Sequence, residues 1–118
     1  MPKPEIVAVY GTLKKDHHNH FMLLTSKFIG EAAIPGYLWT RPQEKFPRAC
    51  ADSKAPSIIQ VELYEVSPVM MNQMARLETP YGYYAQTVTT VDGVNALMWA
   101  SVEGPDPDCK FIREGKWE

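Results

Sequence analysis

A chain of 118 residues with a formal net charge of −2 fits one domain around one modest core. With 45% apolar and 22% charged residues it has a globular balance, and its slight acidity argues against a surface built for nucleic-acid phosphates, leaving open only a local basic patch. No apolar run approaches the ~20 residues of a membrane helix, no apolar segment behind the N-terminus suggests a leader, and two distant cysteines, Cys50 and Cys109, predict reduced thiols and a cytoplasmic protein.

Residues 5–9 predict a short buried strand, which stops at Tyr10-Gly11-Thr12-Leu13. Lys14, Lys15, Asp16 and the histidines His17, His18 and His20 follow. A phosphate-binding loop needs glycines at both ends, as in GxxxxGK[ST], and only Gly11 is present. A strand ending in a glycine turn still presents backbone N–H groups to an anion, a carboxylate as readily as a phosphate. The same residues suit a plain strand end. The histidine run reads as an exposed polar loop rather than a metal site, because no distant Cys/His pair has zinc-ligand spacing.

Residues 19–26 predict a short helix carrying Phe21, Leu23 and Leu24, with His20 available to cap or anchor it. Residues 28–39 predict an extended segment broken at Pro35-Gly36, and residues 40–56, with Pro42, Pro47 and Pro56, a long loop around 49–51. Residues 57–66 are rich in Ile, Val and Tyr and predict a second strand. Ser67-Pro68 then starts a helix, since serine caps and proline suits the first helical position. Met70, Met74 and Leu77 follow at helical spacing as core, and Thr79-Pro80 and Gly82 end the helix. Residues 83–91 and 94–102 predict a hairpin turned by Asp92-Gly93. The tail, 104–118, is polar, with Phe111, Ile112 and Trp117 to pack it on the body. The class is α+β with a mostly strand-built core, in one domain over residues 1–118.

Val9-Tyr10-Gly11-Thr12-Leu13, with Lys14-Lys15 and Asn19-His20 behind it, resembles the YGTL signature of the γ-glutamylcyclotransferase-like (AIG2-like) family. The resemblance continues in order through Phe28-Ile29-Gly30, Pro35-Gly36-Tyr37-Leu38-Trp39, Val61-Glu62-Leu63-Tyr64-Glu65-Val66, Met74-Ala75-Arg76-Leu77-Glu78, Tyr84-Ala85-Gln86-Thr87-Val88 and Ala96-Leu97-Met98-Trp99. The chain departs from the pattern at Gln60-Val61, where the family has glycine, at Ala75 for aspartate, at Gln86 for arginine and at Trp99 for tyrosine. The resemblance implies a small mixed β-barrel with a few flanking helices. It also implies a cofactor-free enzyme that cyclises a small γ-glutamyl amide, releasing 5-oxoproline and an amine. On that pattern the Tyr10-Gly11-Thr12-Leu13 loop holds the substrate carboxylate and Glu78 is the acid/base.

Glu78 lies four residues after Met74, beside the apolar stripe and at the helix C-terminus, where the macrodipole disfavours an anion. Read alone, it is a surface glutamate paired with Arg76 or solvent, and the resemblance is what turns it into the acid/base. Tyr37, Tyr64, Tyr84 and Trp99 have the apolar body and polar tip of pocket-wall residues, and core packing would use them as well. Glu62 reads as a strand carboxylate rather than a second acid. A catalytically silent binding module on the same fold is the alternative. The sequence leaves the oligomeric state open.

Overall fold

The computed structural model describes residues 5–11, 26–42, 47–101, 105, 107–112, 115 and 116. The histidine run and residues 19–25 of the helix expected over 19–26 lie outside the described residues, as does Trp117, and Ser26 is a bend that leads into the next strand.

Glu5–Val9 forms β1, which alternates between two apolar environments. Ile6, Ala8 and Tyr10 face one core, with Ile34, Leu38, Ile59, Val61, Leu63 and Met98. Val7 and Val9 face a second, with Tyr64, Val66 and Met74. A strand buried on both faces shows no polar alternation, and the continuous apolar run of β1 reflects that.

Lys27–Thr40 forms β2, Arg48–Ala51 β3 and Ile58–Val66 β4. β2 is not broken at Pro35-Gly36. It changes partner there: residues up to Pro35 pair with β4, and residues from Gly36 pair with β3. Proline lacks a ladder donor, so it fits the switch point between partners. A Cβ on Gly36 would lie 2.5 Å from the Cys50 carbonyl oxygen, which is why a glycine sits where the two ladders cross. The long loop expected over 40–56 contains β3, held by antiparallel pairing to β2.

Pro68–Glu78 forms α1, with Pro68 in its first turn and the Ser67 hydroxyl accepting from the Met70 N–H at 3.2 Å. A short 3-10 turn, Thr79–Tyr81, and a left-handed Gly82 (φ 80°) lead into β5, Tyr83–Thr89. β6, Asn95–Ser101, completes the predicted hairpin, with Gly93 at φ 88° in the turn. The tail contributes β7, Lys110–Phe111, paired to Trp39 and Thr40 of β2. Ile112 packs against the barrel core and donates its N–H to the Leu38 carbonyl.

The strand order is β3-β2-β4-β1-β6-β5, with β7 beside β2. Only the β1–β6 pair is parallel among the described pairings. The sheet curls until its ends meet. The Tyr83 hydroxyl of β5 donates to the carbonyl of Pro47, next to β3, at 3.3 Å, and the Arg48 guanidinium lies 5.4 Å above the Tyr83 ring. The result is a mixed, nearly closed barrel, with α1 covering the outer face of β1 and β4 through Met74.

Candidate active site

The site lies where β1 ends, below the end of α1 and beside the barrel seam. Tyr10 is buried, and its hydroxyl donates to the Trp99 carbonyl of β6 at 2.6 Å. Burial, aided by the nearby Glu78 and Tyr83, holds the Tyr10 phenol well above its ordinary pKa, while Arg48 pulls the other way. Tyr10 is therefore a fixed neutral donor that ties β1 to β6. Gly11 is buried too, and a Cβ there would meet the Pro47 ring at 2.8 Å. The glycine turn and the Pro47-Arg48 segment thus lie against each other.

Glu78 is the last residue of α1, where the Thr79 hydroxyl bonds back to the Ala75 carbonyl. Its carboxyl is pushed up to about 7 by burial. The helix C-terminus opposes a negative charge in the same sense. A carboxylate tuned to neutral pH can both accept and return a proton.

The expected site residues fall into separate groups. Tyr10, Gly11 and Glu78 come together, and the Trp99 backbone joins them through the Tyr10 bond. The Trp99 side chain packs toward the cluster under α1, and its buried indole N–H has no acceptor among the described residues. Thr12 and Leu13 lie outside the described residues. Tyr84 is 52% exposed, because it alternates with the buried Tyr83 along β5. Tyr37 meets Phe111 with the two rings tilted and their centroids 6.2 Å apart, and it lines a different groove, with Pro56, Ile58 and Ile112. Tyr64 packs under α1 and donates its hydroxyl to Glu62 at 3.0 Å. Gln86 donates to the Ala100 and Ser101 carbonyls at 3.2 and 3.3 Å, which ties β5 to the end of β6.

Two residues that sequence reasoning passed over stand at the centre: Arg48 and Tyr83. Arg48 is only 8% exposed, one of few buried charged or polar side chains among the described residues. Its signal in the sequence was faint: a single cation followed by the small apolar run Ala49-Cys50-Ala51. Tyr83 was hidden beside Tyr84, and only the strand register chooses between them. No group of three or more His, Cys, Asp or Glu that could hold a metal occurs among the described residues.

The mixed, nearly closed barrel matches the fold implied by the YGTL pattern. The family model described as Gamma-glutamyl cyclotransferase, AIG2-like, matches residues 7–118, and the chain belongs to this family. It is 33% identical over 112 residues to a Pyrococcus horikoshii protein named "Putative gamma-glutamylcyclotransferase PH0828", covering 95% of this chain and 90% of that one. The crystal structure of PH0828 superposes with a TM-score of 0.76 at 32% identity, over 95% of this chain and 88% of that chain. A mouse AIG2-like protein shares the fold at a TM-score of 0.77 and 18% identity, over 99% of this chain and 90% of that chain. No helix among the described residues is long and apolar enough to cross a membrane.

Proposed function

We propose that this protein is a γ-glutamyl cyclotransferase that releases 5-oxoproline and an amine from a small γ-glutamyl amide. The observation that carries the reading is Glu78, a carboxyl held near neutral pKa beside the Tyr10-Gly11 turn. The nucleophile and electrophile belong to one substrate, so folding the glutamyl chain into a ring-like rotamer supplies most of the proximity. Glu78 takes a proton from the substrate α-ammonium. The freed amine attacks the γ-carbonyl carbon, forming the new C–N bond. Glu78 returns the proton to the departing nitrogen as the old C–N bond breaks. Tyr10, Gly11, Thr12 and Leu13 hold the substrate carboxylate, backbone N–H groups serving as donors to the anion. No metal or cofactor takes part. The free thiols Cys50 and Cys109 support a cytoplasmic setting for this chemistry.

The rival reading, a binding module without turnover, draws on Gln86, which here bonds to the β6 backbone, and on Ala75. Incubation of the pure protein with a panel of γ-glutamyl amides, followed by assay of 5-oxoproline, separates the two. Release that falls by roughly 10²–10⁴-fold in Glu78→Gln, with ligand affinity little changed, supports the enzyme. No release across the panel supports the module.

A further inference from the structure

We propose that the indole N–H of Trp99 is the donor that receives the γ-carbonyl oxygen of the substrate as the ring closes, which makes Trp99 a catalytic residue of this site. The inference rests on the cyclotransferase reading and adds to it a residue and a step.

β6 runs parallel to β1, with Val7 beside Leu97 and Ala8 beside Met98, which brings Trp99 level with Val9, one residue before the Tyr10-Gly11 turn. The Tyr10 hydroxyl donates to the Trp99 carbonyl at 2.6 Å and fixes that stretch of backbone. Side chains alternate along β6: Ala96, Met98 and Ala100 enter the barrel core, and Trp99 turns to the opposite face. There it packs on the apolar group under α1, which holds Val9 and Met74 and is joined by Leu77. Glu78 follows Leu77 and ends that helix. The indole and the Glu78 carboxyl thus both belong to the place where the helix meets the sheet beside the end of β1. Across from Trp99 on β5 stands Ala85, an exposed methyl, so no bulky neighbour on that strand covers the flank of the indole.

The indole N–H of Trp99 is shielded from water and has no acceptor among the described residues. A buried donor without a partner costs free energy, and a phenylalanine would fill the place without that cost. Trp39 shares the feature, but it stands on β2, outside the group under α1. The mechanism leaves one substrate atom without a donor. The turn takes the α-carboxylate and Glu78 takes the proton of the α-ammonium, while the γ-carbonyl oxygen gains negative charge unattended. As the amine lone pair forms the new C–N bond, the π pair of the carbonyl moves onto that oxygen. It returns when the old C–N bond breaks and Glu78 delivers the proton to the departing nitrogen. An indole N–H suits this step because it donates only, and so never competes with Glu78 for the proton. Already fixed and shielded from water, it needs no reorganisation as the charge develops.

5-Oxoproline carries the former γ-carbonyl as its lactam C=O, so it probes the contact in the wild-type protein without turnover. Its titration is followed on the assigned indole N–H resonance of Trp99, with cyclopentanecarboxylate, a ring acid lacking that carbonyl, as control. The resonance should move downfield with 5-oxoproline and stay in place with the control. No movement while the Gly11 amide responds, or equal movement with both ligands, overturns the assignment and leaves the reaction standing. In turnover of a γ-glutamyl anilide, Trp99→Phe should lower kcat roughly 10²–10³-fold with KM little changed. The rise of kcat/KM with pH through about 7 should persist in the variant. A raised KM with kcat intact would make Trp99 a packing wall, and a lost pH dependence would make it a support for Glu78; either overturns the proposal. Circular dichroism checks folding, and the wild-type resonance decides where the variant unfolds. A downfield shift with 5-oxoproline, together with no 5-oxoproline formed from any amide, removes the reaction and leaves a lactam-carbonyl subsite.

Discussion

At the scale of single residues, the Glu78 carboxyl couples function to stability. Its pKa of about 7 in the fold lies above the ordinary 4.5. Between those values the folded protein keeps a proton that the unfolded chain releases. The stability it contributes is fully present below the unfolded value and is lost as pH rises through about 7. Glu78→Gln removes the titration. The difference in Tm between variant and wild type should therefore be small in acid and widen toward neutrality. Above pH 7 the variant should be the more stable by about 1–3 kcal/mol. Parallel melting curves across that range would show that the carboxyl is solvated instead. Activity should move oppositely, kcat/KM rising as Glu78 ionises. The residue was legible in the sequence only through its motif: spacing placed it at a helix end beside an apolar stripe, but spacing cannot measure burial.

At the scale of elements, β2 decides the geometry of the site. Its second half carries β3, and β3 carries Arg48. The junction depends on Gly36, where a Cβ would also meet Ile59 at 2.8 Å. Gly36→Ala should cost about 1–3 kcal/mol, read as a lower urea midpoint, with amide exchange accelerated in β3 before the rest of the barrel. A midpoint within error of wild type would mean that the two ladders separate without cost. Elements with local signals were readable: Ser67-Pro68 and the methionine spacing gave α1, and Asp92-Gly93 gave the β5–β6 turn. β3 was not. Alanine and cysteine carry no strong strand preference, flanking prolines suggest a loop, and the strand exists only because β2 offers it a partner. The register along β5 was equally silent, and it buries Tyr83 while leaving Tyr84 out.

At the scale of the whole molecule, the seam between β5 and β3 closes the barrel and assembles the site in one act. Tyr83 supplies both contacts across it. Tyr83→Phe loses the hydrogen bond to Pro47 and should cost about 0.5–1.5 kcal/mol, with the stacked guanidinium retained. Tyr83→Ala loses the ring as well, and should cost about 3–5 kcal/mol. Equal effects of the two substitutions, measured by thermal melting, would mean that the ring contact contributes nothing.

By itself, the sequence determined what local chemistry can determine: the strands with continuous apolar runs, the capped helix, the glycine turns and, through an ordered set of short motifs, the family. Each depends on residues within a few positions of one another. The tertiary structure decided what distant residues do together. It set Arg48 against a ring 35 positions away, given by the numbers of Arg48 and Tyr83. It turned the Tyr10 hydroxyl onto the Trp99 carbonyl and sent Tyr37 to another groove. It also gave Glu78 the partial burial that raises its pKa. Burial and long-range pairing are properties of the closed sheet, and no window along the chain contains them.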